Sequence, residues 1–319
     1  MNTNLSNLTQ LSKANEDYLA GLELLQTSCI KCRFSPNYLD AIPLFKKCSD
    51  VYHGCGSFEK EITSREKLAK CFFNEKSFWE EGNEYEKISK VQLNQLKSVN
   101  DSYNSIINAF HAYAGNRNYD DGIKALTKMS NEFLDTGNEG EAKKILAFAF
   151  EEIDRYYHVI TLNTEESHHY IYECIDKYID LLFAGEEFEK GAEVSQKSYE
   201  LIKKDQGEEK KMICKYYGFQ AIAEVCGKKE NYENTLEKGK EYEVDGDDFC
   251  TKLLRLIDVV KQNHKDNERM IKGLFTDVSR KVPSFLVKMF NEKFMKQNII
   301  NNNDINEIKT NDSEEEDLK

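Results

Sequence analysis

The stretch Tyr119-Asp-Asp-Gly122-Ile123 places a small residue three positions after an aromatic one, and two other segments begin in the same way. These segments are Tyr38-Leu-Asp-Ala41-Ile42 and Phe188-Glu-Lys-Gly191-Ala192. On a helix, residues three apart share one face, and a small side chain there lets a neighbouring helix approach closely. Similar contacts occur in stacked helical hairpins, whose repeat is about 34 residues in the tetratricopeptide class. The motif therefore predicts a solenoid of antiparallel helix hairpins.

The composition predicts an all-α protein. The chain has only 3 prolines and 16 glycines in 319 residues, and long stretches contain no helix breaker and no alternation of period two. Several glycines stand where a left-handed residue ends a helix, shortly before an aromatic residue that begins the next one. These pairs are Gly56 and Phe58, Gly115 and Tyr119, Gly185 and Phe188, and Gly227 and Tyr232.

The spacing of the motifs predicts units longer than standard tetratricopeptides. Tyr38 and Tyr119 are 81 residues apart, which corresponds to two units of about 40 residues. We expect a tetratricopeptide-like solenoid over residues 1–240, a C-terminal helical bundle over 241–298, and a disordered, acidic tail over 299–319. An irregular helical bundle remains an alternative for the whole chain.

Start and stop signals place the predicted helices at the two ends. The first should extend from about Asn7 to Cys29, with a loop over Ile30–Phe34. Ser35 is the predicted N-cap of the second helix, and Pro36 its first residue. The last predicted helix extends from Ser284 to about Gln297.

Charge and hydropathy limit the class of partner and the location. The formal net charge is −13, from 44 basic and 57 acidic residues, and this argues against a general nucleic-acid binder. No apolar stretch approaches the roughly 20 residues of a membrane span, and the N-terminus has neither a basic leader nor an apolar signal core. Together with nine irregularly spaced cysteines, these features favour a cytoplasmic protein with reduced thiols.

Candidate chemistry is sparse. Cys29 and Cys32 form a single Cys-x-x-Cys without the second pair that a zinc site requires. His168 and His169 point in different directions on a helix, and nearby Cys174 does not complete a ligand set. No glycine-rich phosphate loop, nucleophile elbow or HExxH motif is present. The sequence thus favours a binding protein without cofactor or metal over an enzyme.

Several segments together resemble the soluble NSF attachment proteins. The body is closest to the gamma type of that family, whereas the C-terminal residues are similar to the terminus of the alpha type. The segments are Lys31-Cys-Arg-Phe-Ser-Pro-Asn-Tyr38, Gly82-Asn-Glu-Tyr85, Phe133-Leu-Asp-Thr-Gly137 with Ala142-Lys143-Lys144, Asp245-Gly-Asp-Asp-Phe-Cys250 with Leu253-Leu254, and Glu315-Glu-Asp-Leu-Lys319.

The resemblance implies an adaptor. Members of the family bind the syntaxin-type, four-helix SNARE complex that remains after membrane fusion, and they recruit the hexameric NSF ATPase that takes it apart. The family fold is a twisted sheet of helical hairpins followed by a helical bundle, and its members act peripherally on the cytosolic face of endomembranes. A generic tetratricopeptide-like scaffold for other partners is the alternative.

The resemblance also implies a SNARE-binding surface. The family's lysine after paired alanines corresponds to Lys144, with Lys143 beside it. A second family lysine corresponds to Glu173, a reversed charge, and Lys177 lies one turn further on. From the spacing alone, two further cations on the preceding helix, Lys124 and Lys128, are expected to extend the same patch.

Two further sites follow from the resemblance. The ATPase-recruiting residues are Glu316, Asp317 and the penultimate Leu318 in the tail, together with Asp258. Two other members of the family's acidic cluster correspond here to Lys261 and Gln262. The membrane-touching loop corresponds to residues 30–34, where apolar side chains alternate with basic ones; these are Ile30, Lys31, Arg33 and Phe34. Packing of Phe34 onto the second helix as a hydrophobic staple is the alternative.

Overall fold

The computed structural model describes residues 2–27, 34–161, 165–204, 209–244, 248–262, 268–280, 282, 287–288 and 290–296. Throughout these ranges the regular elements are helices, and the predicted all-α, tetratricopeptide-like solenoid is confirmed. The helices are α1 (Asn2–Leu24), α2 (Tyr38–Gly54), α3 (Phe58–Asn74), α4 (Phe78–Asn94), α5 (Val99–Gly115), α6 (Tyr119–Asp135), α7 (Glu139–Thr161), α8 (Glu165–Ala184), α9 (Phe188–Lys204), α10 (Lys210–Cys226), α11 (Tyr232–Lys240), α12 (Phe249–Gln262) and α13 (Glu268–Ser279), followed by a π-helical segment (Asn291–Lys296). Within the described part of the chain, no helix is both long and apolar enough to span a lipid bilayer.

The chain divides into two compact units, Met1–Cys174 and Ile175–Lys319, with the division inside α8. In the first unit, each helix from α1 to α6 packs against the next one along the chain. In the second unit, α9 packs against α10, α10 against α11 and α12, and α12 against α13. The predicted boundary near residue 240 stays a prediction, and the predicted tail 299–319 lies outside the described residues.

A regular step of about 20 residues builds the first unit. Helices α2 to α6 each have 17 residues. Each connecting turn adds three or four more, so a hairpin occupies about 40 residues. This confirms the unit length inferred from the spacing of Tyr38 and Tyr119.

The turns depend on one left-handed residue, which lies two positions before the next helix. The positive φ angles are 69° at Gly56, 59° at Lys76, 56° at Lys97, 62° at Arg117 and 77° at Gly137. At four of these turns, this residue and the one after it donate backbone hydrogen bonds to carbonyls in the last turn of the preceding helix. At the turn of Lys97 the donors are the residues on either side of it, Leu96 and Ser98. Every one of these turns therefore ends one helix and starts the next in a fixed geometry.

The prediction that glycine takes the left-handed position was correct at Gly56 but wrong at three other turns. There the left-handed residue lies after the glycine, at Arg117, Glu186 and Lys228, with φ between 57° and 62°. The glycines that precede them, at positions 115, 185 and 227, end or directly follow a helix. The turn geometry persists without glycine because the backbone hydrogen bonds of the turn hold these residues in place.

The predicted close approach at the small residues is confirmed. A Cβ atom added to Gly122 would lie 2.7 Å from the ring of Phe110, and one added to Gly191 would lie 2.8 Å from the ring of Phe183. Ala41, the small residue of the third motif, is fully buried. In each motif the small residue therefore faces a neighbouring helix, and the cores form between successive helices.

Three predicted boundaries differ from the structure. Helix α1 ends at Leu24, whose carbonyl accepts a hydrogen bond from the Asn37 N–H at 2.9 Å. The N-cap of α2 is Asn37 and not Ser35, since Asn37 Oδ1 accepts from the Asp40 N–H at 3.2 Å. Pro36 consequently precedes the helix. The described end of the predicted last helix is the π-helical segment.

A buried ion network joins α2, α3 and α4. The Arg65 guanidinium donates from Nε to Glu61 and from Nη1 to Glu84, both at 2.8 Å. The second oxygen of Glu61 lies 2.9 Å from His53 Nδ1, and that of Glu84 accepts from Lys87 at 2.6 Å. Because the buried carboxylates have cationic and hydrogen-bonding partners, the network fixes the relative register of three helices.

Glu81 on α4 is a buried acid of a different kind. Its side chain is 8% exposed, and its Oε2 atom has no hydrogen-bond partner within the described part of the chain. Burial raises the pKa of Glu81 to about 7 from its ordinary value of 4.5. The carboxyl group is therefore protonated in the folded protein at mildly acidic pH.

We predict that Gly137→Ala lowers the free energy of unfolding by about 1 kcal/mol, because alanine is strained at a φ of 77°. Gly140→Ala is the matched control in the following helix, where an added Cβ meets nothing within 4 Å. This control should leave stability unchanged or raise it by up to about 1 kcal/mol. Urea unfolding followed by circular dichroism measures both, and equal effects of the two substitutions would contradict the assignment.

We predict that Glu81→Gln flattens the pH dependence of stability. Between pH 4.5 and about 7 the folded state retains a proton on Glu81 that the unfolded state releases, so stability falls as pH rises through this window. The variant should be more stable than the original protein at about pH 8, by at least about 1 kcal/mol, and should approach it at about pH 5. Glu80→Gln, at an exposed neighbouring position, should leave the slope intact.

Candidate functional site

Two exposed lysines lie one turn apart on α6. The opposite face of the helix buries Ile123, Leu126 and Met129, so Lys124 and Lys128 are directed away from the core. The ammonium of Lys124 is 4.4 Å from the ring centroid of Tyr170, a cation–π contact that restricts its position. The predicted i, i+4 pair is therefore present on one exposed helix face.

Helix α7 adds a third exposed lysine. Ala142 and Ile145 are fully buried, and between them Lys144 is 66% exposed. Lys144 forms a 3.3 Å ion pair with Glu141 on its own helix, which is worth little at such exposure. Lys143 is half-buried. Helices α6 and α7 pack against each other, and we call their three exposed cations, Lys124, Lys128 and Lys144, the lysine surface.

The predicted substitute lysine lies elsewhere in the chain. Lys177 belongs to the second unit and is half-buried on α8. Glu173, the acidic residue at the position where the family has lysine, is also half-buried on α8. The lysine surface is therefore defined by residues of α6 and α7.

The residue that ends the predicted membrane loop has an exposed apolar side chain. Phe34 is 80% exposed, and Leu39 in the first turn of α2 is exposed as well. The staple alternative, in which Phe34 packs onto α2, is therefore wrong, because a stapled ring would be buried. Ile30, Lys31 and Arg33 lie outside the described residues.

Asp258, the retained member of the predicted acidic cluster, is half-buried on α12. Burial raises its pKa, with a further contribution from the negative charge of Glu233, while Lys261 and Lys240 act in the opposite direction. Lys261 donates a 2.5 Å hydrogen bond to the hydroxyl of Tyr232 and lies 4.2 Å from its ring centroid. Glu316, Asp317 and Leu318 lie outside the described residues.

Sequence reasoning missed one side-chain cluster in the second unit. Cys214, Glu243 and Cys250 bring two sulfur atoms and a carboxylate oxygen within 4.8 Å of one another. The cysteines are 36 residues apart and belong to different helices, so no short spacing motif marks them. The only available signal was an apolar position occupied by cysteine on each helix.

In the comparisons with known proteins, no family model and no curated protein matches this chain. The resemblance to the soluble NSF attachment proteins therefore stays a prediction from the motifs.

Proposed function

We propose that this protein is an adaptor that binds assembled SNARE complexes and recruits the NSF ATPase to disassemble them during vesicle-mediated protein transport and membrane fusion. The observation that carries the proposal is the lysine surface, because it presents three exposed cations on two adjacent helices of a helical-hairpin solenoid. The motif resemblance supplies the identity of the partners. The second, coarser candidate is a scaffold of the same fold for other partners.

The lysine surface provides local positive charge on a protein whose net charge is negative. A chain of net charge −13 repels an acidic partner over most of its surface, so attraction must come from a local patch. The SNARE bundle of the proposed complex is acidic on its outside, which suits Lys124, Lys128 and Lys144. Each exposed contact contributes only about 0–1 kcal/mol, and salt weakens it. Several copies of the adaptor around one bundle would raise the affinity through multivalency.

The exposed Phe34 supports the proposed membrane contact. An exposed aromatic side chain next to basic residues gains free energy at an anionic, cytosolic membrane surface. Such a contact would hold the adaptor near membrane-anchored SNAREs without a membrane span.

We predict that Lys144→Glu weakens binding to a SNARE complex without unfolding the protein. The substitution reverses an exposed charge and adds only a weak repulsion from Glu141, worth a few tenths of a kcal/mol. Binding should fall at least threefold in a pull-down with purified SNARE complex at low salt, and circular dichroism should be unchanged.

Lys197→Glu is the matched control for this prediction. Lys197 is exposed on α9 and forms a comparable ion pair with Glu193 at 3.1 Å. This substitution changes the net charge by the same amount but lies outside the lysine surface. If Lys144→Glu binds the SNARE complex as well as the original protein does, the proposed interface is contradicted. If Lys144→Glu and Lys197→Glu lose binding equally, the loss comes from the change in net charge and not from the lysine surface.

We predict that deleting Leu318 and Lys319 reduces stimulation of NSF ATP hydrolysis while SNARE binding is retained. The acidic residues before Leu318 would guide the tail to a basic ATPase surface, and the apolar side chain would then make the final contact. The measurement is ATP turnover by NSF with the full chain and with a chain ending at Asp317. A full chain that neither co-sediments with NSF nor stimulates turnover would favour the scaffold instead.

A further inference from the structure

We propose that Cys214, Glu243 and Cys250 form a zinc-binding site in the second unit. The two sulfur atoms are 3.4 Å apart, and a carboxylate oxygen of Glu243 completes a set of three ligand atoms within 4.8 Å. Both cysteines are buried, with relative exposures of 2% and 0%. This inference is independent of the proposed adaptor function.

The three ligands come from three packed segments of the second unit. Cys214 lies on α10, Cys250 in the first turn of α12, and Glu243 in the connection between α11 and α12. Close packing holds the cysteines in place, because a Cβ added to Gly239 would lie 2.6 Å from Cys250 Sγ. A metal ion at this point would therefore bridge elements that already contact one another, with little rearrangement.

The ligand chemistry and spacing suit zinc. Thiolate and carboxylate ligands bind Zn²⁺ at about 2.3 Å and about 2.0–2.2 Å, which places tetrahedral sulfur ligands about 3.8 Å apart. The observed separation of 3.4 Å requires only a small adjustment of the side chains. Two soft sulfur ligands disfavour Mg²⁺ and Ca²⁺, which prefer oxygen alone.

Glu243 is already oriented by hydrogen bonds at the start of α12. Its Oε1 accepts from the Thr251 N–H at 2.6 Å, and its Oε2 accepts from Thr251 Oγ1 at 2.8 Å. Each carboxylate oxygen has a second lone pair, so either one can accept these hydrogen bonds and still coordinate a metal. Hydrogen-bonded partners of this kind commonly position the ligands of metal sites.

The proposed site has three protein ligands, and a water molecule would complete a tetrahedral shell. Two thiols must lose their protons to bind, so metal uptake releases protons and weakens as pH falls. The same thiol pair could instead form a disulfide, which needs an external oxidant that accepts two electrons. The carboxylate of Glu243 beside the two sulfur atoms favours metal binding over a disulfide, because a disulfide requires only the two sulfur atoms.

To test the proposal, the full chain with its cysteines reduced is titrated with Co²⁺, which serves as a spectroscopic probe. Zn²⁺ is then added to compete for the same site. Cys29 and Cys32 are replaced by serine throughout, because their Cys-x-x-Cys spacing offers other thiolates. We expect one cobalt per chain, with thiolate-to-cobalt charge-transfer absorption and tetrahedral ligand-field bands. Zinc should displace the cobalt and raise the melting temperature.

Single substitutions identify the ligands. Cys250→Ser and Glu243→Gln should each lower the zinc affinity at least tenfold and reduce the thermal shift. Cys48→Ser is the matched control, a buried cysteine in the first unit whose thiol lies 2.9 Å from Ser64 Oγ. It should leave the affinity unchanged. If Cys250→Ser fails to fold, Glu243→Gln decides, because Glu243 is only half-buried.

Three results would overturn the proposal. One is the absence of stoichiometric cobalt or zinc uptake by the reduced protein. Another is unchanged affinity in both Glu243→Gln and Cys250→Ser. The third is a mass loss of two hydrogens, with Cys214 linked to Cys250, in protein kept under the zinc-loading conditions.

Discussion

A left-handed turn residue, placed two positions before each of the helices α3 to α7, sets the architecture of the first unit. Positions 56, 76, 97, 117 and 137 all adopt it, and each ends one helix and begins the next within three or four residues. The turns hold successive helices antiparallel, and the equal helix lengths then bring small residues opposite aromatic rings, as at Gly122 and Phe110. These turns therefore determine which face of each helix packs against the next helix.

Polar groups inside the unit add specificity to this packing. Arg65 holds two buried carboxylates at hydrogen-bonding distance, so a shift of one helix past its neighbour would leave charges uncompensated. Within the described residues, Oε2 of Glu81 has no hydrogen-bond partner, and burial raises the pKa of this carboxyl group so that it is protonated instead. The first unit therefore buries acidic side chains in two ways: Glu61 and Glu84 as carboxylates paired with Arg65, and Glu81 as a neutral carboxyl group.

The sequence predicted the fold class, the unit length and the close approach at Gly122, because these depend on periodicity and residue size. It did not reveal the left-handed residues Lys76 and Lys97, since lysine has no turn signature and the backbone hydrogen bonds impose the conformation. For the candidate site, helical spacing predicted the shared face of Lys124 and Lys128. Cys214 and Cys250 are 36 residues apart in the sequence, and they meet only because α10 and α12 pack against each other, so no local pattern predicted their contact.

The step of about 20 residues limits how such a chain can change its length. One residue inserted within a helix would rotate everything after it by about 100° and turn small residues away from the rings they meet. A whole hairpin could be gained or lost with the remaining contacts preserved, because each helix depends mainly on its neighbours. Length variation in proteins built this way is therefore expected in multiples of a hairpin, about 40 residues at a time.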